Sequence, residues 1–230
     1  MIIKSYSKVN LTLKVGAKNK NGFHEIQSYF CLINLADNIK IQKIKTKKDK
    51  IIFMGPFAKF VKKSNNSILN LLKILRELKL ISSYYSVRVK KNIPVFAGLG
   101  GGTGNAASVL KYLINKKISK SLFTKIESKI GSDLRLFFYK QGFLKNLNSI
   151  ITKKKIHKMI FVLIQPNFQC STKDIYSKVR NYNKTKILKK NKINPKSNFI
   201  SQISRSSNEL QSIVEKKYPI NKKLLMNIKN

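Results

Sequence analysis

The sequence predicts an α+β protein made of two unequal parts. Apolar and polar residues alternate with a period of two near the N-terminus, as in Lys8–Val15, which is typical of half-buried strands. Helical spacing then appears behind residues that favour helix starts, as in 64–78. The composition changes near residue 150. These observations predict an N-terminal domain at 1–150 and a second domain at 151–230.

Strands and turns are expected to alternate in the first third of the chain. Period-two patterns predict strands in two pieces over 2–17, then over 23–35, 39–44, 51–53 and 84–90. Residues that favour turns predict breaks at 19–22, 37–38 and 47–50. A later apolar run, Ile156–Ile164, predicts a buried strand.

Helices are expected after the strands. The spacing of apolar residues predicts them over about 68–78, after the glycines to 114, and over 121–130, 172–181, 207–217 and 221–228. Residues 183–198 are rich in Lys and Asn and predict a solvated loop.

Length and composition favour a soluble globular protein. The 230 residues are 42% hydrophobic, enough for real cores, and no apolar run approaches the roughly 18 residues that span a bilayer. A cytoplasmic setting is therefore expected. The two cysteines, Cys31 and Cys170, lie far apart, and they and the two histidines, His24 and His157, have no metal-ligand spacing. Buried reduced thiols are therefore predicted, with neither a disulfide scaffold nor a zinc site.

The charge balance is strongly basic. There are 48 Lys and Arg residues against 9 acidic ones, a net charge of +39. Such a charge usually indicates a nucleic-acid or anionic-membrane partner. However, Lys, Ile and Asn all have A/T-rich codons, so genome composition is a competing cause, and the charge would also attract nucleotides.

A glycine-rich loop that leads into a helix is the strongest functional signal. Five of the ten glycines lie in the segment Gly98-Leu-Gly-Gly-Gly-Thr-Gly-Asn-Ala-Ala107. Glycine lets backbone N–H groups approach an anion closely, and the start of a helix favours negative charge. No Lys-Ser or Lys-Thr follows the glycines, so this is not a Walker loop. The loop predicts a phosphate site, and a flexible surface loop is the alternative.

With Pro94 in front of it, this segment resembles the phosphate-binding motif of the GHMP small-molecule kinases. The resemblance implies their two-domain fold, with nucleotide and substrate bound between the domains. It also implies ATP and Mg²⁺ as requirements of the reaction. The residues that it assigns to ATP binding are Pro94, Gly98, Leu99, Gly100, Gly101, Gly102, Thr103, Gly104 and Asn105.

The same resemblance implies a catalytic pair. Asp133 lies in Gly-Ser-Asp-Leu-Arg-Leu, which is similar to the Gly-Ala-Asp-Val-Pro segment that carries the catalytic base in these kinases. Lys8 lies in Ser-Lys-Val-Asn-Leu, similar to Ala-Lys-Leu-Asn-Leu, whose lysine pairs with that acid. A positioned carboxylate can take the proton of the acceptor hydroxyl. A helix-capping role for Asp133 is the alternative.

Two further segments are implied to bind a cytidine-containing substrate. Asn21-Gly-Phe-His-Glu resembles an Asp-Gly-Tyr-His-Glu segment, so Phe23 would stack on the pyrimidine and His24 would hydrogen-bond its edge. The resemblance implies that Thr172 and Tyr176 contact the substrate and that Asn10 hydrogen-bonds to it. A core role is the alternative for Phe23.

The third motif of the family, a Gly-Ser-Gly-Pro loop, is absent because no glycine follows Gly142. We therefore expect either a truncated sequence or a lineage with a shortened second domain. The predicted activity is ATP-dependent phosphorylation of a hydroxyl on a cytidine diphosphate sugar-alcohol. A degenerate relative that only binds nucleotide and a basic RNA-binding protein are the alternatives.

Overall fold

The chain folds into two compact units. The computed structural model describes residues 1–19, 22, 24–115, 118–152, 156–166, 168–179, 199–204 and 206–229. Unit 1 comprises Met1–Lys8, Leu32–Val95 and Leu99–Lys140, and unit 2 comprises Val9–Cys31, Phe96–Gly98 and Gln141–Asn230. The domain boundary near residue 150 stays a proposal.

Seven strands and seven α-helices are assigned in the described part of the chain. The strands are β1 (Ile3–Asn10), β2 (Lys14–Lys18), β3 (His24–Ile44), β4 (Lys50–Met54), β5 (Tyr84–Lys90), β6 (Gln141–Asn146) and β7 (Ser149–Ile151). The helices are α1 (Ser67–Glu77), α2 (Gly101–Leu113), α3 (Lys120–Ile130), α4 (Thr172–Ser177), α5 (Phe199–Ser204), α6 (Gln211–Lys217) and α7 (Pro219–Lys229). The α+β prediction is confirmed.

Unit 1 places helices against a sheet face. The second half of β3 pairs antiparallel with β5, from Asn38 opposite Lys90 to Ile44 opposite Tyr84, and β4 runs parallel to β5 on its other side. Asn66 caps α1, accepting a hydrogen bond from the Leu69 N–H at 3.0 Å, as the sequence predicts. The core of this unit consists of apolar side chains from β3, β5, α1, α2 and α3: Ile39, Ile68, Leu71, Leu72, Leu75, Val87, Val89, Ala106, Ala107, Val109, Leu110 and Ile126, with Leu134 and Phe137 beside them.

The predicted turn at Asp37-Asn38 is wrong, because β3 continues through both residues. Asp37 is fully buried, and its carboxylate accepts hydrogen bonds from the backbone N–H groups of Asn92 and Ile93 at 2.7 and 2.9 Å. The side chain therefore bonds to a segment far along the chain and not to its own turn.

Unit 2 contains the first half of β3, which pairs antiparallel with β2 and with β6. Strand β7 extends this sheet beyond β6. Strands β6 and β7 and helix α5 were not predicted from the sequence. Helix α4 ends at Ser177, earlier than expected, whereas α6 and α7 lie close to their predicted positions. The predicted loop at 183–198 lies outside the described residues.

The predicted buried strand at 156–164 is wrong. The segment forms no strand, and the side chains of Ile160 and Val162 are 100% and 85% exposed. An apolar run becomes a strand only where a neighbouring strand offers its N–H and C=O groups, and no described strand pairs with this one.

The thiols differ in their surroundings. Cys31 is buried, as predicted, and burial raises the pKa of its thiol to about 11. Cys170 is only half-buried, so the prediction of burial is wrong for this residue. Among the described residues, no helix is both long and apolar enough to cross a bilayer.

Candidate active site

The glycine-rich loop closes into the first turn of α2. Gly100 is the N-cap residue and has a left-handed backbone, with φ +67° and ψ 19°. The Gly104 N–H donates to the Gly100 carbonyl at 2.8 Å. The helix therefore starts at Gly101, within the glycine run and not after it as the sequence predicted. The first N–H groups of a helix have no partner inside it, so this turn offers donors to an anion.

The glycines are also required by packing. A Cβ on Gly100 would lie 2.8 Å from the Phe137 ring and 3.3 Å from Cγ of Lys8. A Cβ on Gly104 would lie 2.7 Å from the same ring. Phe137 thus fills the space beside Gly104 and leaves no room for a side chain there.

We expect Gly104→Ser to destabilise the protein. The added atoms would overlap the Phe137 ring, and overpacking of this kind costs about 1–3 kcal/mol. Chemical denaturation of the full chain measures the loss. The double variant Gly104→Ser/Phe137→Leu, in which the ring is gone, is expected to recover part of it. A single variant as stable as the parent would show that the ring moves aside freely.

Lys8 and Asp133 lie together beside this loop in unit 1. Lys8 Nζ is 3.0 Å from Asp133 Oδ2, and the side chains are 5% and 36% exposed, respectively. The Lys8 N–H donates to the Leu99 carbonyl at 3.0 Å, which fixes β1 against the glycine loop. The two residues are 125 positions apart, and the fold brings them into contact as the resemblance implied.

The alternative role of Asp133 as a helix cap is not realised. Asp133 precedes a short 3-10 helix, Leu134–Phe138, but its side chain makes no capping hydrogen bond to it. Its carboxylate instead contacts the Lys8 ammonium and keeps one side open to solvent. Such a group can accept a proton from a hydroxyl while the ammonium stabilises the negative charge that develops.

The remaining predicted ATP-binding residues lie along the same segment. Pro94 and Leu99 belong to unit 1, whereas Gly98, with φ +72°, is assigned to unit 2. Thr103 lies in the first turn of α2, next to the turn at Gly131: a Cβ on Gly131 would be 3.7 Å from the Thr103 hydroxyl. Asn105 is buried, and its Oδ1 accepts no hydrogen bond from the described part of the chain.

The predicted substrate residues are in unit 2. His24, at the start of β3, is buried, with Nδ1 2.8 Å from the Gly16 carbonyl oxygen, and its ring centroid is 5.9 Å from that of Tyr176. Asn10 ends β1, and its Oδ1 accepts from the Ser28 hydroxyl at 3.2 Å. Thr172 is the exposed first residue of α4. Phe23 lies outside the described residues.

Two ion pairs in the interior of unit 1 were not predicted from the sequence. Lys91 pairs with Asp37 next to Gly101, and burial lowers the pKa of this lysine while Asp37 opposes that shift. The position of Glu127 in a helix among lysines predicts an exposed acid, but Glu127 is buried and pairs with Arg135. Neither pair has a local sequence signal, because the partners come from different elements.

Comparison with known proteins agrees with this architecture. The model of the GHMP kinases N terminal domain matches residues 66–139, which include the glycine loop and Asp133. A solved structure of a 4-(cytidine 5'-diphospho)-2C-methyl-D-erythritol kinase aligns with 97% of this chain and 81% of its own at a TM-score of 0.61 and 19% identity. The chain therefore has the fold of a GHMP kinase.

Similar curated proteins indicate which kind of GHMP kinase this chain is. The 4-diphosphocytidyl-2-C-methyl-D-erythritol kinase of Pelagibacter ubique (strain HTCC1062) is 39% identical over 94% of this chain and 77% of the relative. The kinase of the same name from Caldanaerobacter subterraneus subsp. tengcongensis is 33% identical over 76% of this chain. The matched region covers 61% of the length of that relative. The chain belongs to the 4-diphosphocytidyl-2-C-methyl-D-erythritol kinase family.

Proposed function

We propose that this protein transfers the γ-phosphoryl group of ATP to the 2-hydroxyl of 4-diphosphocytidyl-2-C-methyl-D-erythritol, a step of the non-mevalonate route to isoprenoid precursors. The observation that carries the proposal is the 3.0 Å contact between Lys8 Nζ and Asp133 Oδ2 beside the left-handed Gly100. Family membership supports the choice of substrate.

The chemistry asks for positioning and charge stabilisation more than for covalent help. In this proposal the first turn of α2 binds the ATP phosphates through its backbone N–H groups. Asp133 takes the proton of the acceptor hydroxyl, and Lys8 stabilises the alkoxide that forms. Asn10, His24, Thr172, Tyr176 and Phe23 are proposed to bind the substrate.

Mg²⁺ is proposed to accompany ATP. Among the described residues, no group of three His, Cys, Asp or Glu side chains could hold a metal ion by itself. Mg²⁺ commonly uses few protein ligands together with substrate phosphates and water, and two oxygen donors in the first turns of α2 fit this pattern: the Thr103 hydroxyl and the Asn105 amide oxygen. When bound, the ion would neutralise charge on the phosphates. We also propose a cytoplasmic location.

The acceptor is tested by measuring ADP release from ATP and Mg²⁺ in the presence of the full substrate, of cytidine diphosphate, or of 2-C-methyl-D-erythritol. We expect turnover with the full substrate alone, because neither fragment offers both the recognised base and a correctly placed hydroxyl. Equal turnover without any acceptor would contradict the proposal. ATP binding without transfer to any acceptor would favour the degenerate relative.

The RNA-binding alternative makes a different prediction. The positive charge would then give RNA binding that weakens steeply as salt rises, without affinity for ATP. Titration of a fluorescent ATP analogue and of single-stranded RNA at two salt concentrations separates the two functions. We expect saturable ATP binding, which Gly100→Ala reduces because the added Cβ meets Phe137 and strains the left-handed backbone.

A further inference from the structure

The turn that presents Asp133 is tied at both ends by a single residue, Glu127 of α3. The Glu127 carbonyl accepts a hydrogen bond from the Gly131 N–H at 2.8 Å, where α3 ends. Its carboxylate reaches past Asp133 to Arg135, accepting from the Arg135 N–H at 3.3 Å and from Nε at 2.6 Å. Asp133 therefore lies in the middle of the segment 131–135. The backbone carbonyl of Glu127 binds one end of this segment, at Gly131, and its carboxylate binds the other end, at Arg135.

The contact with Arg135 is a two-point ion pair. The second carboxylate oxygen of Glu127 bonds to a terminal nitrogen of the same guanidinium, and two such bonds define the geometry of the pair more closely than one. The side chains are 8% and 13% exposed. A buried ion pair contributes little net stability compared with apolar residues, because both charges lose their water. Its geometry, in contrast, is specific, and it bears directly on the backbone that carries Asp133.

The residue at position 135 explains why the turn needs the Glu127–Arg135 pair. A proline in place of Arg135 would fix its own backbone without a partner. Arginine leaves the backbone free, so another constraint has to hold the turn. Phe137, packed on Gly100 and Gly104, and Lys111, which donates to the Phe137 carbonyl at 2.5 Å, hold the far end of the 3-10 helix. The Glu127–Arg135 pair holds the near end.

We propose that Glu127 and Arg135 are a positioning pair that holds the Asp133 carboxylate against Lys8, an inference that rests on the proposed kinase function. Neither residue touches the reacting atoms; both act through the backbone of the turn. Loss of the pair lets the carboxylate leave the 3.0 Å contact with Lys8 Nζ. Displacements of about 1 Å can cost a hundredfold in rate, so the pair affects turnover more than binding.

The test compares Glu127→Gln with the parent in steady-state kinetics. We expect kcat to fall about 10-fold or more while the KM for ATP stays within about twofold, because the phosphate loop is unchanged. Glu77→Gln is the matched control: it removes an exposed acid of helix α1 whose carboxylate is 4.0 Å from Lys73, and kcat should not change. Should Glu127→Gln fail to fold, Arg135→Lys, which keeps the charge but loses the two-point geometry, carries the same test.

Two further variants separate positioning from a general structural effect. In an Asp133→Asn background, Glu127→Gln should cause little additional loss of kcat, because the group it positions is gone. Adding Arg135→Pro to Glu127→Gln should recover much of the lost kcat, since proline is tolerated in the first turn of a helix and fixes the backbone again. An equal loss in both backgrounds, or an unchanged kcat in Glu127→Gln, overturns the proposal. An inactive but folded parent would instead count against the proposed function.

Discussion

Replacing Asp133 with Asn is expected to lower kcat by about 10²- to 10⁴-fold, the usual contribution of a positioned general base. Asparagine keeps the shape of the side chain but cannot take the proton of the acceptor hydroxyl. It also removes the charge that faces Lys8 Nζ at 3.0 Å. The KM for ATP should change little, because the predicted phosphate donors belong to the first turn of α2 and not to this side chain.

The measurement is ADP release at saturating substrate by purified, folded protein. Asp133→Glu serves as the matched control, since it keeps the carboxylate but moves it by one methylene, and we expect a smaller loss. A kcat for Asp133→Asn within about twofold of the parent would remove Asp133 from the chemistry. Lys8 would then have no acid to pair with in the reaction.

Replacing Asp37 with Ala is expected to destabilise unit 1 by about 3–5 kcal/mol, the usual cost of breaking a buried pair by removing one partner. The variant leaves the Lys91 ammonium, 3% exposed, without its counter-charge. It also removes the acceptor of the Asn92 and Ile93 N–H groups. Because native proteins are stable by only about 5–15 kcal/mol, this is a large fraction of the total.

Chemical denaturation at pH 8 measures the effect. The double variant Asp37→Leu/Lys91→Met, which removes both charges, should recover part of the loss because no buried charge remains. A single variant that loses less than about 1 kcal/mol would show that the pair is solvated in solution.

The same pair predicts a pH dependence with a definite sign. Burial lowers the pKa of Lys91 below its ordinary value of 10.5. Between the folded pKa and 10.5 the unfolded chain binds more protons than the folded one, so the free energy of unfolding rises with pH in that window. Removing Asp37 lowers the pKa of Lys91 further, so the window should widen towards neutral pH. The stability of Asp37→Ala relative to the parent should therefore improve as the pH rises above neutrality.

The sequence predicts well those helices and strands that have a clear capping residue or a regular apolar pattern of their own. Helix α1 has both a capping Asn66 and a clear apolar face, and β5 alternates between apolar and polar residues from Tyr85 to Lys90. The glycine loop is equally readable, because few other patterns place so many glycines before a helix.

Three of the errors share a physical cause: the residue or segment depends on a partner in another element, which the local sequence does not show. Asp37 reads as a turn residue, but its carboxylate bonds to residues 91–93. The pattern around Glu127 predicts an exposed acid on a helix surface, but its carboxylate is buried in an ion pair with Arg135. Residues 156–164 read as a strand, but strand formation requires a neighbour that a sequence pattern cannot supply. The contact of Lys8 with Asp133 was expected from the resemblance alone, since nothing local pairs one lysine with one acid.

The central claim is tested most directly by following the γ-phosphate of ATP. The full 230-residue chain is incubated with ATP, Mg²⁺ and 4-diphosphocytidyl-2-C-methyl-D-erythritol, and the products are separated and analysed by ³¹P NMR and mass spectrometry. We predict one new phosphomonoester on the 2-hydroxyl for each ADP released, and a rate at least about 10²-fold lower with Asp133→Asn. Folded protein that binds ATP and yields no phosphorylated product, or equal yields from both proteins, would contradict it.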